Sequence, residues 1–215
     1  MSQLTFVEQS SKPTTPAAGE VNIFMDNTAT PRLTLQDDTG TTYLASPATN
    51  VSVSTVSAGY ASDTYLAGSS ITIKEAGAWR VGQIYRCKFD MVKTAAGSAT
   101  PIITVRMGTL GTTGDASIAT ITWAAGTAAA DTAMIEILIS FRTVGGGTSA
   151  VVQVIGTAYK QLTTTGFTNT TTNIATILST SGGFNSTTQT IIGLSFNGGA
   201  SFSGTNTLVQ AELIG

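Results

Sequence analysis

The triplet Asp38-Thr39-Gly40 is the first candidate for chemistry in this chain. Two such aspartates that share one proton can activate water for peptide cleavage. A later Ile191-Ile192-Gly193 has the form of the second signature of one-lobe enzymes of that kind, but it lies too far along the sequence for a one-lobe fold. A hairpin turn explains the triplet better: Asp favours the first turn position and Gly supplies positive φ. The run Gly108-Thr109-Leu110-Gly111-Thr112-Thr113-Gly114 lacks the Lys-Ser/Thr of a phosphate loop and the spacing of a dinucleotide fingerprint. No helical pattern follows it, so a flexible hairpin or loop is expected. Asp115, next in line, could ligate a cation, yet one carboxylate is not a site.

Six aromatic residues, Trp79, Trp123, Tyr60, Tyr65, Tyr85 and Tyr159, offer material for a sugar-stacking platform. In β-proteins such side chains more often pack the core. Arg80, Arg86, Lys88, Lys93, Arg106 and Arg142 gather in the middle of the chain. The alternation Tyr85-Arg86-Cys87-Lys88-Phe89 puts Arg86 and Lys88 on the solvent or partner face of a strand. Asn50-Val51-Ser52, Asn169-Thr170-Thr171 and Asn185-Ser186-Thr187 match glycosylation acceptors. Such matches arise by chance in a chain with 40 Thr and 20 Ser.

Composition narrows the field further. The chain has 215 residues, no histidine and one cysteine. Without histidine, Ser-His-Asp and Cys-His catalysis and imidazole-ligated zinc are impossible. Cys87 alone supports neither a thiolate cage nor an internal disulfide. We therefore expect a non-enzymatic protein with no catalytic, cofactor-binding or metal residues and no cofactor. With a net charge of −2, the chain lacks the basic balance of a phosphate-gripping protein, so no nucleic-acid partner is expected. The opening MSQLTFVEQSSK has no charged region followed by an apolar stretch, so no signal peptide is expected. Apolar runs such as Ala133–Ile139, broken by Glu136, are too short to span a bilayer, and no membrane partner is expected.

The elements that would position these residues are strands. Hydrophobic residues make up 41% of the chain and charged residues only 10%, which argues for a folded core over disorder. Abundant Thr, Val and Ile suit pleated surfaces, and 23 Gly supply turns. Residues 1–19, with Pro13 and Pro16, predict an extended N-terminal arm. Residues 20–68 predict a small β-meander and connector, with strands at Glu20–Met25, Pro31–Gln36 and Thr41–Ala45 and alternation at Val51, Val53 and Thr55. Val21, Ile23 and Met25 share one face of the first of these. Residues 69–215 predict the main domain. Its strands are expected at Ser70–Lys74, Ile84–Lys93, Pro101–Met107, Ser117–Trp123, Ala133–Val144, Ala150–Ala158, Thr188–Asn197 and Asn206–Ile214. Ile174–Ser179 is a weaker candidate. Ala124–Met134 reads as a loop with one helical turn, because Gly126 interrupts its alanines. The predicted fold is all-β, a two-sheet β-sandwich, jelly-roll-like, with an immunoglobulin-like sandwich as the competitor.

Residues 151–215 carry only Lys160 and Glu212 as charges. Interface cores are depleted of charge, so a permanent homo-oligomer is expected, with exposed faces coated in Thr, Ser and Asn as the alternative.

The segments 13–24 and 31–40, Tyr65–Ser69, Val81–Arg86, Lys93–Pro101 and Val105–Thr109 resemble, in motif and texture, virion proteins of tailed bacteriophages. The resemblance spans roughly residues 13–160. It implies a structural protein without enzymatic activity. Within that class it is most similar to capsid decoration, or cement, proteins. These imply a homotrimer on the outer capsid surface of the virion that binds the major capsid protein and bridges neighbouring subunits. The opening segments also resemble tail-fibre attachment regions, which would make the protein a tail-fibre, baseplate or head-fibre component for host attachment. A cell-surface or sugar-binding module is a third possibility, and it requires exposed aromatics converging on one loop face.

Overall fold

The computed structural model describes residues 8–9, 13–26, 33–36, 38–40, 42–44, 48–54, 59–73, 76–94 and 96–214. Most of the expected arm before Pro13, and Pro31-Arg32, Thr41, Ala45, Thr55–Ala58 and Lys74, lie outside the described residues. The described residues contain no helix, so the helical turn expected within 124–134 is absent. The chain divides between Ala48 and Thr49 into two units.

The first unit is a four-stranded sheet of β1 (Glu8–Gln9), β2 (Asn22–Asp26), β3 (Leu33–Gln36) and β4 (Thr42–Leu44) in that order. β1 runs parallel to β2, and the other pairs are antiparallel. The expected meander is present, but the buried face of β2 is the opposite one. Phe24, Thr34 and Gln36 are buried, whereas Val21 and Ile23 are more than half exposed. Residues 13–20 explain the inversion by lying along the meander. Asn22 Nδ2 donates to the Thr14 carbonyl at 2.8 Å, and the Gly19 N–H donates to Asp38 Oδ2 at 2.7 Å. Polar groups on that face gain backbone partners that a run of apolar residues could not use.

The second unit is a sandwich of two sheets. The larger sheet has the order β13 (Ile174–Thr180), β12 (Val151–Lys160), β11 (Asp131–Thr143), β8 (Ile84–Lys93), β16 (Val209–Ile214), β5 (Ala48–Ser52), with β15 (Gly204–Thr205) also paired to β8. The smaller has the order β10 (Ala116–Thr122), β9 (Ile102–Gly108), β14 (Ile191–Asn197), β6 (Thr64–Tyr65), with β7 (Ile71–Thr72) also on β14. The early strands pair with the late ones, β8 with β16 and β9 with β14, in the manner of a rolled-up hairpin. β10 and β13 instead pair with their sequence neighbours, β9 and β12.

Period-two alternation sends one set of side chains from each sheet inward. From the larger sheet these are Tyr85, Cys87, Phe89 and Met91, Ile135, Ile137 and Ile139, and Val152 and Val154. From the smaller sheet they are Ile103, Val105, Ile121, Leu194 and Phe196. The sheets meet closely at Gly156, where a Cβ would lie 2.5 Å from Ile121 Cδ1. Trp79 stacks on Phe141 with centroids 5.1 Å apart, and Trp123 meets Phe167 edge-on at 5.9 Å.

Several expected strands differ in size, and Thr188–Asn197 and Asn206–Ile214 each shorten by three residues to β14 and β16. Ser70–Lys74 contributes only the two-residue β7, and the weak candidate at Ile174–Ser179 is the complete edge strand β13. β11 begins at Asp131 rather than Ala133, because Asp131 registers with Lys93 on β8.

Candidate interaction surface

The motifs singled out for catalysis serve structure. Asp38 lies in a turn whose Gly40 has φ +81°, and Ile191-Ile192-Gly193 lies within the central strand β14. There the bare Gly193 accommodates Tyr65: a Cβ would sit 1.8 Å from its hydroxyl. Asp115 is 5% exposed and accepts backbone N–H groups from Thr109, Leu110 and Gly111 at 3.1, 3.0 and 2.7 Å. It closes the Gly-rich turn on itself. Arg106 binds the same turn, donating to the Thr113 and Asp115 carbonyls at 2.8 Å each and pairing with Asp63. Among the described residues no three His, Cys, Asp or Glu residues gather as a metal site.

The aromatic residues pack as core. Trp79, Trp123, Tyr60 and Tyr85 are at most 2% exposed, and Tyr65 is half-buried. Their polar atoms are used internally: Trp79 Nε1 donates to the Gln189 carbonyl at 2.8 Å and Trp123 Nε1 to that of Ala175 at 3.1 Å. Of the six, Tyr159 alone is exposed, on a strand rather than a loop. The loop-face platform that a sugar-binding module requires is not formed by these residues.

Lys93 continues the inward alternation of β8 and is 2% exposed. It does not join Arg86 and Lys88 on the surface. Lys93 Nζ donates to the carbonyls of Thr127 and Ala129 at 2.6 and 3.0 Å. Lys160, also buried, donates to the carbonyls of Thr168, at 2.7 Å, and Thr163. Between the elements carrying them, the buried Asp131 accepts N–H groups from Leu162 at 3.1 Å, Phe167 at 2.9 Å and Thr132 at 2.9 Å. Burial pulls both lysine pKa values down, and the charge of Asp131 opposes the shift. This trio ties loops 124–130 and 161–173 to one end of the sandwich. Sequence periodicity shows Lys93 facing inward but not its partners, which are backbone carbonyls of a distant loop.

Among the described residues, a continuous set of exposed apolar side chains lies on the outer face of the larger sheet. Its strands are in register, so side chains form rungs across it. One rung runs Met134, Tyr159, Ile174, and another Leu138, Ile155, Leu178. A polar rung, Lys88, Glu136, Thr157, Thr176, separates them. Leu178 is 60% and Ile174 52% exposed. Toward β8 and β16 the face turns ionic. Arg86 pairs with Glu212, and Lys88 with Glu136 at 3.3 Å. Arg142 Nη1 donates to Gln153 Oε1 at 3.1 Å. Burial pushes the Asp90 carboxyl up, but bonds from the Thr207 hydroxyl and the N–H groups of Thr207 and Leu208 outweigh it and hold it below its ordinary value. The face thus has an apolar strip on β11–β13 beside a charge-balanced flank, the pattern of a contact surface with a polar rim.

No protein-family model matches the chain, and no curated protein matches it. Among solved structures it is similar to the CBM2 module of the evolved Dit of Lactobacillus casei BL23 phage J-1. That likeness has a TM-score of 0.22 and 8% identity, covering 78% of this chain and 90% of that one. At such a TM-score it carries neither fold nor function.

Proposed function

We propose that this protein is a non-enzymatic structural component of a tailed-phage virion, acting as a decoration protein on the outer capsid surface. In this reading it binds the major capsid protein and bridges neighbouring subunits as a homo-oligomer. The observation that supports it is the outer face of the larger sheet, with its apolar strip and internally paired charges. Such a face suits broad, dry contact with another protein. A shell under outward pressure gains from many modest contacts spread over several subunits, because linked contacts add through effective concentration. The sequence resemblance to virion proteins supports the same class.

The test is titration of purified protein onto undecorated shells, followed by sedimentation and cryo-microscopy. Saturable density at symmetric shell positions, lost when residues 1–19 are removed, is the expected result. Density at the tail and none on the shell would overturn the capsid assignment in favour of a fibre or baseplate component.

A further inference from the structure

The strand at the end of the larger sheet, β13, has an open edge, and we propose that it pairs antiparallel with β13 of a second copy of this chain. The contact is independent of what the assembly binds.

β13 uses alternate residues to reach β12. The Lys160 N–H donates to the Asn173 carbonyl and the Ser181 N–H to the Val152 carbonyl, both at 2.9 Å. In an antiparallel ladder this directs the odd-numbered residues of β13 at β12 and the even-numbered ones away from it. The N–H groups of Ile174, Thr176, Leu178 and Thr180 have no acceptor among the described residues. Of the matching carbonyls only that of Ile174 has a partner, the Thr172 hydroxyl at 2.5 Å.

Proteins blunt such edges with charge, proline, bulges or extreme shortness. β13 has none of these. Its seven residues, Ile-Ala-Thr-Ile-Leu-Ser-Thr, contain no charge and no proline, and its register with β12 is unbroken. The opposite sheet ends differently: β10 carries a register shift between Ser117 and Ala119.

A second copy is the occupant that fits this edge. With Ile177 on a two-fold axis, the outward-directed residues meet as hydrogen-bonded pairs, Thr176 with Leu178 of the second copy and Ile174 with Thr180. No like charges oppose one another, and each β-branched or apolar side chain meets another on the outer face. Edge pairing also sets the apolar strip of Met134, Ile155, Tyr159, Ile174 and Leu178, 39–60% exposed, beside that of the second copy.

Light scattering coupled to size exclusion on the full chain, between about 1 and 100 μM, reads the result over the range where so small an interface dissociates. The expected mass approaches twice the 22.0 kDa of the chain as concentration rises. Leu178→Pro removes an N–H that β12 does not use, so it should hold the mass at that of the monomer with an unchanged circular-dichroism spectrum. Ile177→Cys places two cysteines across the axis in a non-hydrogen-bonded pair, where Cα atoms approach to about 4.5 Å. Mild oxidation should convert it to a disulfide-linked dimer, while Thr188→Cys on an exposed loop forms no disulfide-linked dimer and pairs only as the parent chain does. A chain that is monomeric throughout the range, or an oligomer that survives Leu178→Pro and gives no Ile177→Cys disulfide, would overturn the proposal. So would pairing that appears only on shells.

Discussion

Replacing Asp131 by Asn tests whether the buried trio is held by charge or only by shape. The side chains are nearly isosteric, so packing is conserved. The carboxylate accepts three backbone N–H groups, two through Oδ1 and one through Oδ2. An amide keeps the Oδ1 pair by presenting its oxygen there and turns its NH₂ against the Phe167 N–H. One charge-assisted bond becomes a donor–donor contact, and Lys93 and Lys160 lose the negative charge that opposes their desolvation. Turning the acceptor of the buried Phe167 N–H into a donor leaves that group unsatisfied, which costs about 1–3 kcal/mol. For a unit of this size that lowers Tm by about 2–12 °C. Urea unfolding at neutral pH with scanning calorimetry measures it. Lys93→Met in the same background completes a double-mutant cycle. Because it removes one uncompensated cation, the double variant should cost less than the sum of the singles by about 1–3 kcal/mol. A loss below about 1 kcal/mol for Asp131→Asn, or strict additivity in the cycle, would refute an electrostatic role for Asp131.

Three further outcomes follow from the packing. Burial holds Cys87 protonated up to about 12 and raises Tyr85 well above its ordinary value, and burial and then the charge of Asp90 raise Tyr60 to about 12. The unfolded chain releases these protons from about pH 9 upward, so stability is full below that point and falls as pH rises toward 12. At pH 10.5 Cys87 alone accounts for about 2 kcal/mol, and Cys87→Ala should flatten the alkaline limb of urea unfolding measured against pH. Gly183→Ala places a Cβ 2.2 Å from the Thr148 carbonyl oxygen, whereas Gly182→Ala meets nothing within 4 Å. Thermal melts should show the first lowered by about 1–3 kcal/mol and its neighbour unaffected. Asp115→Ala strips three backbone N–H groups of their acceptor; hydrogen exchange at Thr109, Leu110 and Gly111 should quicken more than tenfold while strands β11 and β12 stay protected.

Alternation and turn chemistry made the sandwich legible, because every second residue of β8, β11 and β12 must face the core. Faces were harder to read than strands. β2 buries Phe24 rather than Ile23 because residues 13–20 supply backbone partners to its polar side, and no local pattern announces that packing. β13 turns Ile174 and Leu178 outward and Ala175 inward because Trp123 fills the interior and bonds the Ala175 carbonyl. The low charge of residues 151–215 raises the expectation of a contact surface. The apolar rungs on the outer face take shape only through the register of β11, β12 and β13, which long-range pairing alone determines. Lys93 shows the limit most clearly: its inward orientation follows from β8, but its carbonyl cage comes from a loop more than thirty residues away.

The position of β16 bears on how the chain is made. β16 is the latest of the described strands, yet it lies in the sheet between β8 and β5 rather than at a margin. As the polypeptide leaves the ribosome, strands from β6 through β15 can assemble while the slot beside β8 stays vacant and β5 waits for β16. The facing edge of β8 is then exposed for the whole interval, and neighbouring nascent chains can invade it. Closure is a long-range event, joining Ile84 to Ile214, and such pairings are slow. A chain that lacks Val209–Ile214 would therefore leave an adhesive half-sheet, and a holdase acting after β8 has emerged and before β16 has paired would raise the yield of soluble protein more than one acting earlier.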